Sequence, residues 1–166
     1  MTGNLVYCND INSLMEELGR KHEPHEWRLF IDASKVNLKA EFLFNGNTYP
    51  SIPIGYAVNM KETYENIKFL LTCINYEQHQ WCICADLKVV AIILGLQLGY
   101  TKCCCFLCEW DSRATEQHFE IKNWPTREKL ELGIKNVLSE SLVQSENIIL
   151  PPLHIKLGLM KNFVNV

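Results

Sequence analysis

Residues 27–46 read WRLFIDASKVNLKAEFLFNG. The first eight, Trp27 to Ser34, are a short apolar run that ends in the carboxylate of Asp32. In the next eleven, Val36, Leu38, Ala40, Phe42 and Phe44 stand two apart, the period of a strand with one buried face. Asn45-Gly46 follows, a pair that accepts the positive φ of a type I′ hairpin turn. A third run, TYPSIPIGYAV (48–58), carries Pro50 and Pro53. Proline cannot donate to a ladder, so this strand is expected at a sheet edge. The stretch therefore predicts three antiparallel strands in sequence.

Outward from there the pattern turns helical. With Asn59 as a cap and Glu62 three residues on, Met60, Tyr64, Ile67, Leu70, Leu71 and Ile74 share one helical face. The run Trp81–Leu87, WCICADL, is a second buried strand that ends in a carboxylate, Asp86. Leu87 to Tyr100 is apolar nearly all round and predicts a helix inside the molecule. KCCCFL (102–107) reads as a further strand. Upstream, Ile11, Leu14, Met15 and Leu18 form one face of a short leading helix, and KHEPHE (21–26), broken by Pro24, is a linker. The division expected is a leading helix and linker at 1–26, a core at 27–110, a polar insertion at 111–150 with weak helical character near 127–138, and the start of a returning helix at 151–166.

The chain has 166 residues, 48% hydrophobic and 21% charged, the composition of one folded domain rather than a disordered segment. Its net charge of −3 supplies no bulk attraction for nucleic acid, so any such contact must come from local patches. No secretory signal of the usual design follows Met1, and the longest apolar stretch, Val89 to Leu98, is far short of a membrane span. The chain is expected to stay inside the cell. Its eight cysteines are then read as thiols or metal ligands rather than as a disulfide framework.

Two groups of residues could carry chemistry. Asp32 and Asp86 both end apolar strands, and if those strands are neighbours the two carboxylates converge. Hard oxygen ligands so placed suit Mg²⁺ or Mn²⁺, which activates an attacking oxygen and stabilises a leaving one in phosphodiester chemistry. The plainer alternatives are a turn role for Asp32, bonded to the amides of Ser34 and Lys35, and a helix N-cap for Asp86. The second group is Cys105-Phe106-Leu107-Cys108 with His154. A Cys-x-x-Cys pair and a distant histidine can close on one structural Zn²⁺, with His118, Cys103 or Cys104 as the fourth ligand. Two ordinary thiols, or a redox pair, are the alternatives. His22, His25 and His79 read as solvated. Lys35, Lys39, Lys88 and Lys102 are read as near the strand ends that carry Asp32 and Asp86 and could meet phosphates, with solvated surface as the plainer alternative.

The string FIDAS…CADLKV…CFLC…PPLHIKLGLMK resembles the RNase H-like (DDE/D) catalytic core of eukaryotic cut-and-paste DNA transposases, including relatives of the V(D)J recombinase catalytic subunit. It is also similar to transposon-derived open reading frames of animal genomes. The resemblance runs from about Trp27 onward. It implies an α/β fold with a mixed sheet, three antiparallel strands followed by parallel strands with helices, with the first Asp on the central strand and the second on its neighbour. Asp32 and Asp86 would bind the catalytic metal, Cys105, Cys108 and His154 would hold structural zinc, DNA would be the partner and the nucleus the location. The chain departs from that pattern in lacking the second histidine soon after the Leu-His, and no third catalytic acid has a place before Val166. The expectation is a C-terminally truncated, catalytically incomplete core. A zinc-stabilised interaction module without catalysis is one alternative; an active nuclease that recruits Glu109 or Asp111 is another.

Overall fold

The computed structural model describes residues 4–34, 36–99, 101–151, 156 and 160. Its strands are β1 (Asn4–Tyr7), β2 (Trp27–Ala33), β3 (Asn37–Phe44), β4 (Ile52–Val58), β5 (Cys82–Ala85) and β6 (Ile148–Ile149). Its helices are α1 (Ile11–Glu17), α2 (Tyr64–Cys73), α3 (Tyr76–His79), α4 (Leu87–Ile93) and α5 (Gln117–Glu120). The strands form one mixed sheet in the order β1-β4-β3-β2-β5-β6. β1, β4, β3 and β2 run antiparallel to their neighbours, while β2–β5 and β5–β6 are parallel. The antiparallel trio β2–β3–β4 is as the alternation predicts, and β5 returns parallel to β2 through helices.

One face of the sheet carries the core. Trp27, Leu29 and Ile31 of β2, Leu38, Ala40 and Phe42 of β3, and Ile83 and Ala85 of β5 are buried in alternation. They form one cluster with Ile11 and Met15 of α1, Ile67, Leu70 and Leu71 of α2, and Val89, Val90, Ile92 and Ile93 of α4. Removing each of the larger aliphatic and Phe side chains from water is worth about 1.5–3 kcal/mol, an upper figure because the unfolded chain already hides part of that area. The opposite face is open, with Asp32, Tyr56 and Val58 exposed and Phe30 and Leu43 half-buried.

Several local expectations are corrected. β4 is not an edge strand, because β1 pairs with it from Gly55 to Val58. Pro53 lies outside that ladder, opposite Glu41 at a register shift, so its missing N–H breaks no bond to β1. The Asn45-Gly46 turn is not type I′: Asn47 takes the left-handed conformation at φ 52° and donates its N–H to the Phe44 carbonyl at 3.0 Å. The cap of α2 is Thr63, whose hydroxyl accepts from the Asn66 amide, and Asn59 instead adopts φ 59°. The buried helix stops at Leu94 and does not reach Tyr100. No strand forms at 102–107 and no helix at 127–138.

The sheet and core draw on residues on both sides of 27–110. Ile11 and Met15 contribute from before it. From after it, Val137 and Val143 are buried, and β6 adds the last parallel strand. Backbone bonds tie this later segment down: Gln97 N to Asn136 O at 2.7 Å, Leu138 N to Gly95 O at 2.8 Å and Leu142 N to Ile93 O at 2.8 Å. The returning helix read at 151–166 falls mostly outside the described residues. Among the described residues no helix is long and apolar enough to cross a membrane.

Candidate functional site

β2 and β5 pair in parallel as Arg28↔Cys82, Leu29↔Ile83, Phe30↔Cys84 and Ile31↔Ala85. Asp32 and Asp86 follow the last pair directly, at the same offset. Asp86 is still extended, at φ −65° and ψ 163°. The two aspartates therefore stand side by side at the ends of adjacent strands, about 5 Å apart by ordinary strand spacing and on the same side of the pleat. That side is the open face, since Ile31 and Ala85 point into the core.

The two carboxylates are held differently. Asp86 is half-buried, and its Oδ1 accepts the Val89 N–H at 2.7 Å, capping α4. The cap expected as its plainer role is present and leaves Oδ2 free of that bond. Asp32 is exposed and makes no hydrogen bond or ion pair among the described residues. The turn role offered for it is not what the Ser34 amide does, because that amide donates to the Asn37 carbonyl at 2.8 Å. Lys39 sits directly across from Asp32 on β3, and its Nζ bonds Glu41 at 2.6 Å. That bond to Glu41, with the Asp32 charge adding to it, holds the Lys39 ammonium above its ordinary pKa. Lys88 is paired with Glu62, and Lys102 with Asp111 at 3.3 Å. Lys35 lies outside the described residues. The lysines read as free for phosphate thus already have acidic partners, as far as they are described. Glu109 and Asp111 are themselves paired to Lys135 and Lys102. Among the described residues no three His, Cys, Asp or Glu side chains gather closely enough to hold a metal ion.

The thiol pair is close. Cys105 and Cys108 place their sulfurs 3.4 Å apart. Two sulfurs on a tetrahedral Zn²⁺ with ~2.3 Å bonds stand about 3.8 Å apart, so the pair fits that ion with a small adjustment. Arg127 fixes the turn: its backbone N–H donates to the Leu107 carbonyl at 2.9 Å, and Nη1 donates to the Cys105 carbonyl at 3.1 Å. Burial, and then the neighbouring Cys105, push the Cys108 thiol up from its ordinary value, and burial does the same at Cys104. His118 has Nε2 committed to the Asp111 carbonyl at 2.6 Å and its ring stacked on Trp110 at 4.8 Å. His154 lies outside the described residues.

Two polar groupings escaped the reading of the sequence. His22 and His79 are half-buried and engaged with other side chains rather than fully solvated. Trp81 Nε1 donates to His22 Nε2 at 3.1 Å, His22 Nδ1 meets Asn12 Oδ1 at 2.8 Å, and His79 stacks on Trp81 at 4.4 Å. Partners 59 positions apart leave no signal in the chain. The other grouping is Arg127 Nη1 to Asn136 Oδ1, 3.0 Å and buried, inside a segment with no readable period.

Taken together these features describe a mixed α/β domain with a two-carboxylate locus on the open face of its sheet and a separate close thiol pair. The chain belongs to the family described as a domain of unknown function, DUF8703, whose family model matches residues 1–143 and so includes Asp32, Asp86, Cys105 and Cys108. No curated protein and no solved structure matches the chain.

Proposed function

We propose that the chain is an RNase H-like core of the cut-and-paste transposase type, whose ancestral chemistry was metal-dependent hydrolysis and strand transfer at DNA phosphodiesters, and that it is catalytically incomplete on its own. The observation that carries this reading is the shared offset: the spacing of Asp32 and Asp86 equals the register of β2 on β5. The sheet order β1-β4-β3-β2-β5-β6 contains three consecutive antiparallel strands followed by parallel ones, with β5 beside β2, which supports the reading, while β1 outside β4 is an addition to the pattern the resemblance implies.

Asp32 would offer an unengaged carboxylate and Asp86 its Oδ2, with α4 holding Asp86 in place. Mg²⁺ or Mn²⁺ held there would supply Lewis-acid charge to a phosphodiester oxygen. Lys39 would exchange Glu41 for a phosphate oxygen of the strand. Two carboxylates hold such ions weakly, so little or no cleavage is expected from the 166-residue chain alone.

Titration of Mn²⁺ into the full chain tests this. The expected result is weak binding that is lost in Asp32→Asn and in Asp86→Asn, the latter keeping the helix cap because Asn caps as well as Asp. Equal binding in both variants, or none in the parent chain, overturns it. A second reading, a zinc-stabilised interaction module without catalysis, is favoured by the 3.4 Å sulfur separation. It requires bound zinc that disappears in Cys105→Ser/Cys108→Ser, with Asp32→Ala and Asp86→Ala leaving partner binding unchanged.

A further inference from the structure

Between the end of the α4 connection and the segment that follows the thiol turn lies a cavity of about 530 Å³. Lys102, Arg113 and Lys135 line it together with Gln97, Thr101 and Asn136, and no acidic residue lines it. Lys102 and Lys135 have their partners outside the lining, in Asp111 and Glu109. Arg113 makes no ion pair among the described residues.

Two polar atoms here are buried without a partner, Thr101 Oγ1 and Asn136 Nδ2. Asn136 is 3% exposed, and its orientation is determined: Oδ1 accepts from Arg127 Nη1, which leaves the NH₂ group as the unspent donor. The backbones of both residues are already engaged, the Asn136 carbonyl with the Gln97 amide and the Thr101 carbonyl with the Ser112 hydroxyl at 2.8 Å. Buried donors are almost always satisfied, so two of them beside a lining with three cations and no acid indicate a ligand rich in acceptors.

We infer that this pocket binds a phosphate group. Asn136 Nδ2 and Thr101 Oγ1 serve as its neutral donors, with Asn136 Oδ1 kept on Arg127, and the Arg113 guanidinium is its main charge partner. Six donor-bearing side chains around one cavity suit a tetrahedral group with several oxygens better than a carboxylate with two. The volume exceeds that of phosphate alone and leaves room for the remainder of a phosphate ester. The inference is independent of the aspartate locus, and the experiment below does not read metal binding.

Inorganic phosphate is titrated into the full chain at constant ionic strength while the Asn136 side-chain amide and the Arg113 Nε–H are followed by NMR. Saturable shifts of both are expected, with affinity at least about tenfold weaker in Arg113→Gln and in Asn136→Asp and unchanged in the surface control Lys122→Gln. Asn136→Asp keeps the acceptor for Arg127 but turns the donor into a repelling oxygen. Arg113 is exposed, so its variant remains informative if the buried one does not fold. Competition by a 5′-phosphorylated oligonucleotide, but not by its unphosphorylated form, assigns the phosphate to a nucleic-acid end. Competition by a mononucleotide alone assigns it to a small ester. The absence of a saturable shift, or affinity unchanged in Arg113→Gln, overturns the inference.

Discussion

Asp86 combines a structural bond with a place beside Asp32, and substitution separates the two. Replacing it with alanine removes the acceptor for the Val89 amide and is expected to cost about 1 kcal/mol in urea unfolding. Asp32→Ala, at an exposed carboxylate with no described partner, should stay within about 0.5 kcal/mol of the parent. An Asp32→Ala loss as large as that of Asp86→Ala would mean that Asp32 is structural. The two histidines give a second prediction. Because Trp81 donates to His22 Nε2, the network assigns the His22 proton to Nδ1, facing Asn12, and requires a neutral ring. Burial and then the nearby His79 hold the His22 pKa below its ordinary value, and burial holds His79 down as well. Below about pH 6.5 the unfolded chain therefore binds protons that the folded chain refuses. The stability these rings confer is present above that pH and is lost as pH falls through their folded values. Urea midpoints should drop from pH 6.5 downward, and a His22→Gln/His79→Gln variant should be flat until carboxylates titrate. A parent chain equally stable at pH 7 and pH 5.5 would contradict this. At this scale the sequence showed which residues ended strands, but not that His22 and Trp81 meet, since that contact is made only by the fold.

The connection after α4 depends on Gly95. Its φ is 68°, and a Cβ there would run into the Ser139 carbonyl, the same stretch whose Leu138 and Ser139 amides donate to the Gly95 carbonyl. Gly95→Ala should cost more than about 3 kcal/mol, since left-handed strain adds to a backbone collision. Gly99, at φ 90° with nothing within 4 Å of the place a Cβ would take, should cost only about 1 kcal/mol when replaced by alanine. Thermal unfolding of the two variants checks the contrast, and equal losses would contradict it. The elements visible in the sequence were α1, β2, β3, β4, α2, β5 and the apolar run of α4, each marked by a period or by a bounded apolar run. β1, with four residues, and β6, with two, are too short to show alternation and exist because neighbouring strands offer unpaired edges. The segment after Asp111 is held by backbone bonds to residues 93–97 and by Arg127, and neither leaves a side-chain pattern to read.

At the scale of the whole molecule, one sheet buries one face under α1, α2 and α4 and leaves the other open, and the open face is where both strand-end carboxylates lie. The spacing of Asp32 and Asp86 was visible from the start; that it coincides with the strand register came only with the pairing of β2 and β5. The proposed metal site, and with it the transposase-type reading, rests on that coincidence. A crystal structure of the full chain grown with Mn²⁺, recorded at the metal's absorption edge, tests it most directly. The account predicts an anomalous peak about 2.2 Å from an oxygen of Asp32 and from Oδ2 of Asp86. Carboxylates turned apart, beyond the reach of one shared ion, with no peak between them, would contradict it.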